Sequence, residues 1–221
     1  EWPNDSTMSL EDARFSVIRY FASDIENAYG PQVHDPRSGE ILESHIGWYH
    51  NVMNLVHDWY MIQTAAVDPA ARKIKFDDEL MGNLIRFVSS HEVGHTLGLR
   101  HNMGSSSKTP VDSLRSKNWV EANGHTASIM DYARFNYVAQ PEDNINQSGL
   151  FPHIGDYDKW AIKWGYTYTG VGDEADKKIN NKWIIDALSK SDRVWFGGEG
   201  FNADPRAQSE DLSDNAVKAS E

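Results

Sequence analysis

HEVGHTLGLRHN, residues 91 to 102, is the stretch on which the reading of the whole chain turns. On an α-helix His91 and His95 stand four residues apart on one face, so both imidazoles can reach a single ion. Glu92 is rotated about 100° from His91, clear of the ligand positions but able to address a water beside that ion. A catalytic zinc site needs three protein ligands and one open position. His101 can be the third only if the helix stops before it, because a continuing helix would carry it away from the first pair. Gly98 stands where the chain must turn, since glycine takes the positive φ that closes a helix. Histidines serving only to fill a helix face would have to produce helix, break and returning histidine in that order by accident.

Working outward, KFDDELMGNLIRFVSSHEVGHTL (75–97) has the strongest helical pattern in the chain, with Asp77 or Asp78 as its cap and an end near Leu97. Asp68 and Pro69 break it from an earlier helical pattern, VMNLVHDWYMIQTAA (52–66). SLEDARFSVIRYFASDIE (9–26) reads as a first helix capped by Ser9, and VHDPRSGEILESHIGWY (33–49) as a turn leading into a hairpin or strand. From Asn102 to Thr126 the chain is rich in Ser, Asn, Gly and Lys, which predicts a surface loop with one helical turn near 111–119. DYDKWAIKWGY (156–166) and NKWIIDALSKSD (181–192) follow, then FGGEGF (196–201), a turn without the spacing of a nucleotide loop, and a final polar helical candidate.

The 221 residues suggest one domain, 1–221. With 21 Lys and Arg against 33 Asp and Glu, the net charge is -12, which argues against nucleic acid and anionic membrane as partners. The segment has no apolar run long enough to span a bilayer and no secretion leader, so no membrane contact is expected from it. A start at Glu1 and an end in SEDLSDNAVKASE suggest a piece of a longer parent whose other domains are partners. Cysteine is absent, excluding disulfides and thiol catalysis.

HEVGHTLGLRH (91–101) resembles the long motif HExxHxxGxxH of the metzincin clan of zinc peptidases, and SIMDY (128–132) looks like the clan's Met-turn. The resemblance implies one catalytic Zn2+ held by His91, His95 and His101, with Glu92 as general base and acid. It makes Gly98 the turn and Met130 the apolar floor, and gives Tyr132 a role at the zinc or at the reacting carbonyl. GPQVHDPRSGEI (30–41) and GHTASIMDYARFNYVAQPED (124–143) are similar to large exported bacterial zinc-dependent metalloproteases, over roughly residues 30–160. That closer likeness implies a periplasmic, cell-surface or secreted location. The implied fold is α+β and two-lobed: an upper lobe, 1–98, with a twisted mixed sheet and helices including the active-site helix, and a mostly helical lower lobe, 99–221. Protein or peptide substrate would lie in an extended cleft between them, beside an edge strand placed near Ile41 to Trp48.

The implied activity is a zinc-dependent endopeptidase: zinc makes water nucleophilic near neutral pH, and Glu92 takes its proton and passes it to the departing amine. Two other readings remain open, a catalytically silent zinc scaffold and a zinc hydrolase of a non-peptide amide. Tyr132 could instead be an aromatic packed beneath the cleft, and Asp131 either orients a ligand or caps locally. His34, His45, His50, His57, His125 and His153 lack ligand spacing and read as surface or locally bonded, with His125 placed to line the cleft. Trp160 and Trp164 read as a core-facing stripe, and the carboxylates of 173–176 and 210–214 as solvated charge.

Overall fold

The computed structural model describes residues 5–199 and 204–221, and its architecture is built around one long helix. Helix α2 (Asp78–Thr96) begins where the Asp77 carboxylate accepts the Leu80 N–H at 3.0 Å, with Asp78 and Glu79 favouring its positive end. Its inner face buries Leu80, Leu84, Phe87, Val88 and His91, an apolar stripe that ends in a histidine. Against it lies α1 (Val52–Thr64), which buries Val52, Val56, Tyr60 and Thr64 at four-residue spacing. Tyr60 meets Phe135 and Phe151 with ring centroids 4.9 and 5.0 Å apart, so the same core joins α1 to the chain beyond the SIMDY turn.

The mixed α+β fold carries one small sheet, formed by β1 (Val17–Phe21), β2 (Ala28–Tyr29), β3 (Gln32–His34) and β4 (Ile41–Tyr49). β1 runs parallel to β4 on one side, and β2 and β3 run antiparallel to it on the other. β3 reaches β4 through the 35–40 turn, closed by Asp35 N–H to the Glu40 carbonyl at 2.9 Å.

Two sequence expectations are corrected here. Residues 9–26 do not form a helix. VIRYF is β-branched and aromatic, and a helix there would have no apolar partner, since Ile18 is 71% and Tyr20 57% exposed. The strand instead satisfies its backbone along β4, from Val17 beside His45 to Phe21 beside Tyr49. The segment Ile41 to Trp48 is a strand but not an edge, because β4 is paired on both sides. The edge belongs to residues 27–34.

The stretch after Asn102 is also not the surface loop expected from its polarity. Asn102, Ser105, Ser106, Thr109, His125 and Thr126 are fully buried, and two short helices, α3 (Val111–Leu114) and α4 (Lys117–Asn123), stand where one turn was expected. Most of these side chains bond to protein partners, among them Asn102, Ser105 and Thr126, so their polarity marks a network rather than contact with water. Helices α5 (Asp156–Tyr166), α6 (Asp173–Leu188) and α7 (Ala216–Ser220) complete the fold. Trp160 meets Trp183 edge-on at 5.4 Å, but Trp164 is 41% exposed, so the expected core-facing stripe borders a surface groove. Among the carboxylates expected in solvent, Asp211 is half-buried and its carboxyl is pushed up to about 6 by burial. In FGGEGF, residues 200 and 201 lie outside the described residues. No described helix is long and apolar enough to cross a membrane.

Removing the cap of α2 tests how much of this framework depends on local bonding. Asp77→Ala should lower unfolding stability by about 1 kcal/mol in a denaturant titration, as loss of an N-cap acceptor does. An unchanged midpoint would show that tertiary packing alone holds the helix start.

Candidate metal centre

Helix α2 ends in a turn that sets the geometry of the site. The Leu99 N–H bonds back to the Gly94 carbonyl at 3.0 Å and the Gly98 N–H to the His95 carbonyl at 2.9 Å, with Gly98 at φ +89°. This is the Schellman arrangement, which needs a left-handed residue after the cap. The reversed chain then presents the Leu99 carbonyl to His95 Nδ1 at 2.9 Å and brings His101 back over the helix. His91 Nδ1 is held by the Ile129 carbonyl at 2.8 Å.

With Nδ1 of both helical histidines donating to a carbonyl, each Nε2 carries a free lone pair. One nitrogen from each of His91, His95 and His101 lies within 4.8 Å of the others, and Nε2 of His95 and His101 are 3.1 Å apart. Burial pushes His91 down to about 3 and His101 down to about 4, so both rings are neutral at physiological pH. Imidazole nitrogens converging from three histidines are a donor set suited to zinc. Glu92 is 6% exposed and burial pushes its carboxyl up to about 7; a cation beside it would pull it down again.

The SIMDY turn forms the floor. Met130 is fully buried, and a side-chain carbon at Gly94 would fall 2.4 Å from its sulfur, so the glycine between the two helical histidines leaves room for the methionine. Tyr132 sits against the ligands, its ring centroid 4.7 Å from His101 and 5.5 Å from His91. Asp131 does not touch a ligand. It is buried, and its Oδ2 accepts from the Ser105 hydroxyl at 2.8 Å, the Ser106 N–H at 2.6 Å and the Thr126 hydroxyl at 3.2 Å. Burial pushes its carboxyl up to about 7.

Sequence reasoning missed a second brace. Asp158, in the first turn of α5 and 2% exposed, accepts from the Ser128 hydroxyl at 2.6 Å and the Ile129 N–H at 2.7 Å. Ile129 is the residue whose carbonyl holds His91, so this carboxylate positions that histidine at one remove. No local signal marks it, because the partners lie about thirty residues apart in sequence. Gly94 did carry a signal: glycine inside a helix costs about 1 kcal/mol against alanine and calls for a packing reason. His125, expected beside the cleft, is fully buried, with Nε2 bonded to the Arg134 carbonyl at 3.0 Å.

A cavity of about 600 Å³ opens above the histidines, lined on one side by residues 27–32 and on the other by His95, Arg100, Tyr132 and Glu199. The Asn27 and Pro31 carbonyls bond to the Tyr49 and His45 N–H groups of β4. By strand alternation the backbone of Ala28 and Gly30 between them turns the other way, toward the cavity.

A family model described as Met-zincin matches residues 73–221, more than half of the chain, including all three histidines and the SIMDY turn. No curated protein and no solved structure matches the chain.

Two substitutions separate the supports of this site. Gly98→Ala should strain the left-handed turn by about 1–2 kcal/mol and weaken zinc affinity measured by competition with a chelator; affinity equal to wild type would show that His101 is held independently of the turn. Asp158→Ala should lower thermal stability and zinc affinity together, since second-sphere partners typically contribute about 10-fold to 100-fold in affinity. Loss of stability with zinc affinity intact would limit Asp158 to a folding role.

Proposed function

Since the chain belongs to the Met-zincin family, we propose that it is a zinc-dependent endopeptidase acting on polypeptide in the cleft beside β2 and β3. The observation that carries this reading is the convergence of three histidine nitrogens, with the buried Glu92 one residue along the same helix, at the floor of an open groove. His91, His95 and His101 would hold the ion. Zinc, when bound there, supplies Lewis-acid polarisation of the carbonyl and makes water acidic enough to ionise near neutral pH.

The remaining work falls to the chain's own groups. Glu92, buried beside His91, takes a proton from the attacking water and returns it to the departing amine. Tyr132, half-buried beside His91 and His101, is placed to donate its hydroxyl to the oxygen of the tetrahedral species. The Ala28 carbonyl and the Gly30 backbone would pair with an extended substrate as an added strand, the Ala28 N–H being held by Asn27 Oδ1 at 3.0 Å. An open groove beside a strand edge favours polypeptide over a small amide, which a closed pocket would suit better. A silent zinc scaffold would have no use for a buried carboxylate at Glu92, whose desolvation is unfavourable.

Digestion of an unbiased peptide mixture by the zinc-loaded protein, read by mass spectrometry, tests the reading. Glu92→Ala should retain one zinc and lose turnover by roughly 100-fold to 10,000-fold, the usual contribution of a general acid–base group. Turnover unchanged by that substitution would sink the mechanism, and an uncleaved mixture at full zinc occupancy would favour the scaffold.

A further inference from the structure

A second cavity of about 240 Å³ lies deeper than the groove and shares its mouth, since Asn27, Ala28, His91, Glu92 and Tyr132 line both. Leu55, Trp59, Phe87 and Val88 give it apolar walls, into which one cation, Arg134, is set. The Arg134 guanidinium carbon stands 3.8 Å from the Trp59 ring centroid and 4.3 Å from that of Tyr132, so the group is clamped between two aromatic rings. Its Nε donates to Glu210 Oε1 at 2.8 Å, and the side chain is only 13% exposed. The two terminal nitrogens make no hydrogen bond to the protein among the described residues.

The backbone fixes this placement. Arg134 has φ +54°, a conformation rare outside glycine, which tends to persist where surrounding structure enforces it and a site uses it. Its carbonyl accepts from the buried His125 at 3.0 Å, and the next N–H, of Phe135, donates to Gln63 Oε1 at 3.0 Å. Glu210 is tethered in turn by its own N–H to the Tyr132 carbonyl at 2.9 Å. The guanidinium therefore cannot swing out to solvent without dismantling contacts on three sides.

We propose that Arg134 selects substrates carrying a carboxylate side chain, glutamate or aspartate, at the position beside the cleaved bond that enters this pocket. An apolar side chain would cover the free guanidinium N–H groups and strip their water without replacing it, whereas a carboxylate meets the planar fork with two charge-assisted bonds. The other carboxylates near the pocket do not take that place. Glu210 engages Nε alone, Asp131 spends its Oδ2 on Ser105, Ser106 and Thr126 while its buried Oδ1 makes no hydrogen bond to Arg134, and Glu92 stands at the mouth. This selectivity rests on the peptidase reading for its catalytic consequence, but the pocket's preference can be read from binding alone.

Two peptides identical except for Glu or Gln at the selected position provide the test. The zinc-loaded wild type should cleave the Glu peptide with kcat/KM roughly tenfold or more above the Gln peptide, the discrimination expected of a charge-assisted pair. Arg134→Met should bring that ratio close to one, and Arg134→Lys should restore part of it, with zinc content and circular dichroism reporting that both variants fold. The same pair is titrated against zinc-loaded Glu92→Ala, with and without Arg134→Met, by calorimetry. Cleavage without acidic preference, or a ratio unmoved in Arg134→Met, overturns the selectivity and leaves the peptidase standing. Discrimination in binding that Arg134→Met abolishes, without turnover in wild type, supports the pocket and refutes the peptidase. Neither cleavage nor discrimination overturns both.

Discussion

The end of helix α2 is the constraint on which the site depends. Two histidines on one helix face can share an ion, but a third donor has to arrive from another direction, and in this chain it arrives only six residues later. The left-handed Gly98 makes that reversal within one turn, and the Gly94 and His95 carbonyls that the helix end would otherwise leave unpaired accept the Leu99 and Gly98 N–H groups of the reversal. The Leu99 carbonyl released by the same turn fixes the His95 ring, so one backbone event orients the second histidine and delivers the third.

Around that turn the protein buries polar groups rather than avoiding them. Asp131 and Asp158 each sit almost fully inside, at a cost visible in carboxyls pushed upward by burial, and each gathers three donors. Asn102, directly after the third histidine, does the same with its amide, donating to the Trp195 carbonyl at 3.0 Å and accepting the Gly197 N–H at 2.7 Å. Its backbone N–H reaches the Met130 carbonyl at 3.0 Å. A buried polar network of this kind is more direction-dependent than apolar packing, which suits a site whose side chains must be oriented as well as confined.

The cleft follows from the sheet being short. β4 spends both sides on pairing, which leaves the brief β2 and β3 segments as the edge over the histidines. Arg134 and Tyr132 lie on the opposite wall, immediately after the methionine turn, so the residues that floor the metal site also shape the deeper pocket beside it.

Much of the helical framework and the convergence of the histidine trio was legible locally. Helix α2, its Asp77 cap, the Gly98 break and the three histidines are all matters of spacing within about twenty-five residues, and spacing is what backbone periodicity translates directly into position. Residues 9–26 misled because VIRYF satisfies a helical period as well as a strand, and only the availability of β4 as a pairing partner decides between them. The same holds for the polar stretch after Asn102, for Asp158 beneath Ile129, and for Arg134 between Trp59 and Tyr132. In each case the partner lies far along the chain, and burial, hydrogen-bond satisfaction and ring clamping come into being only when distant segments meet.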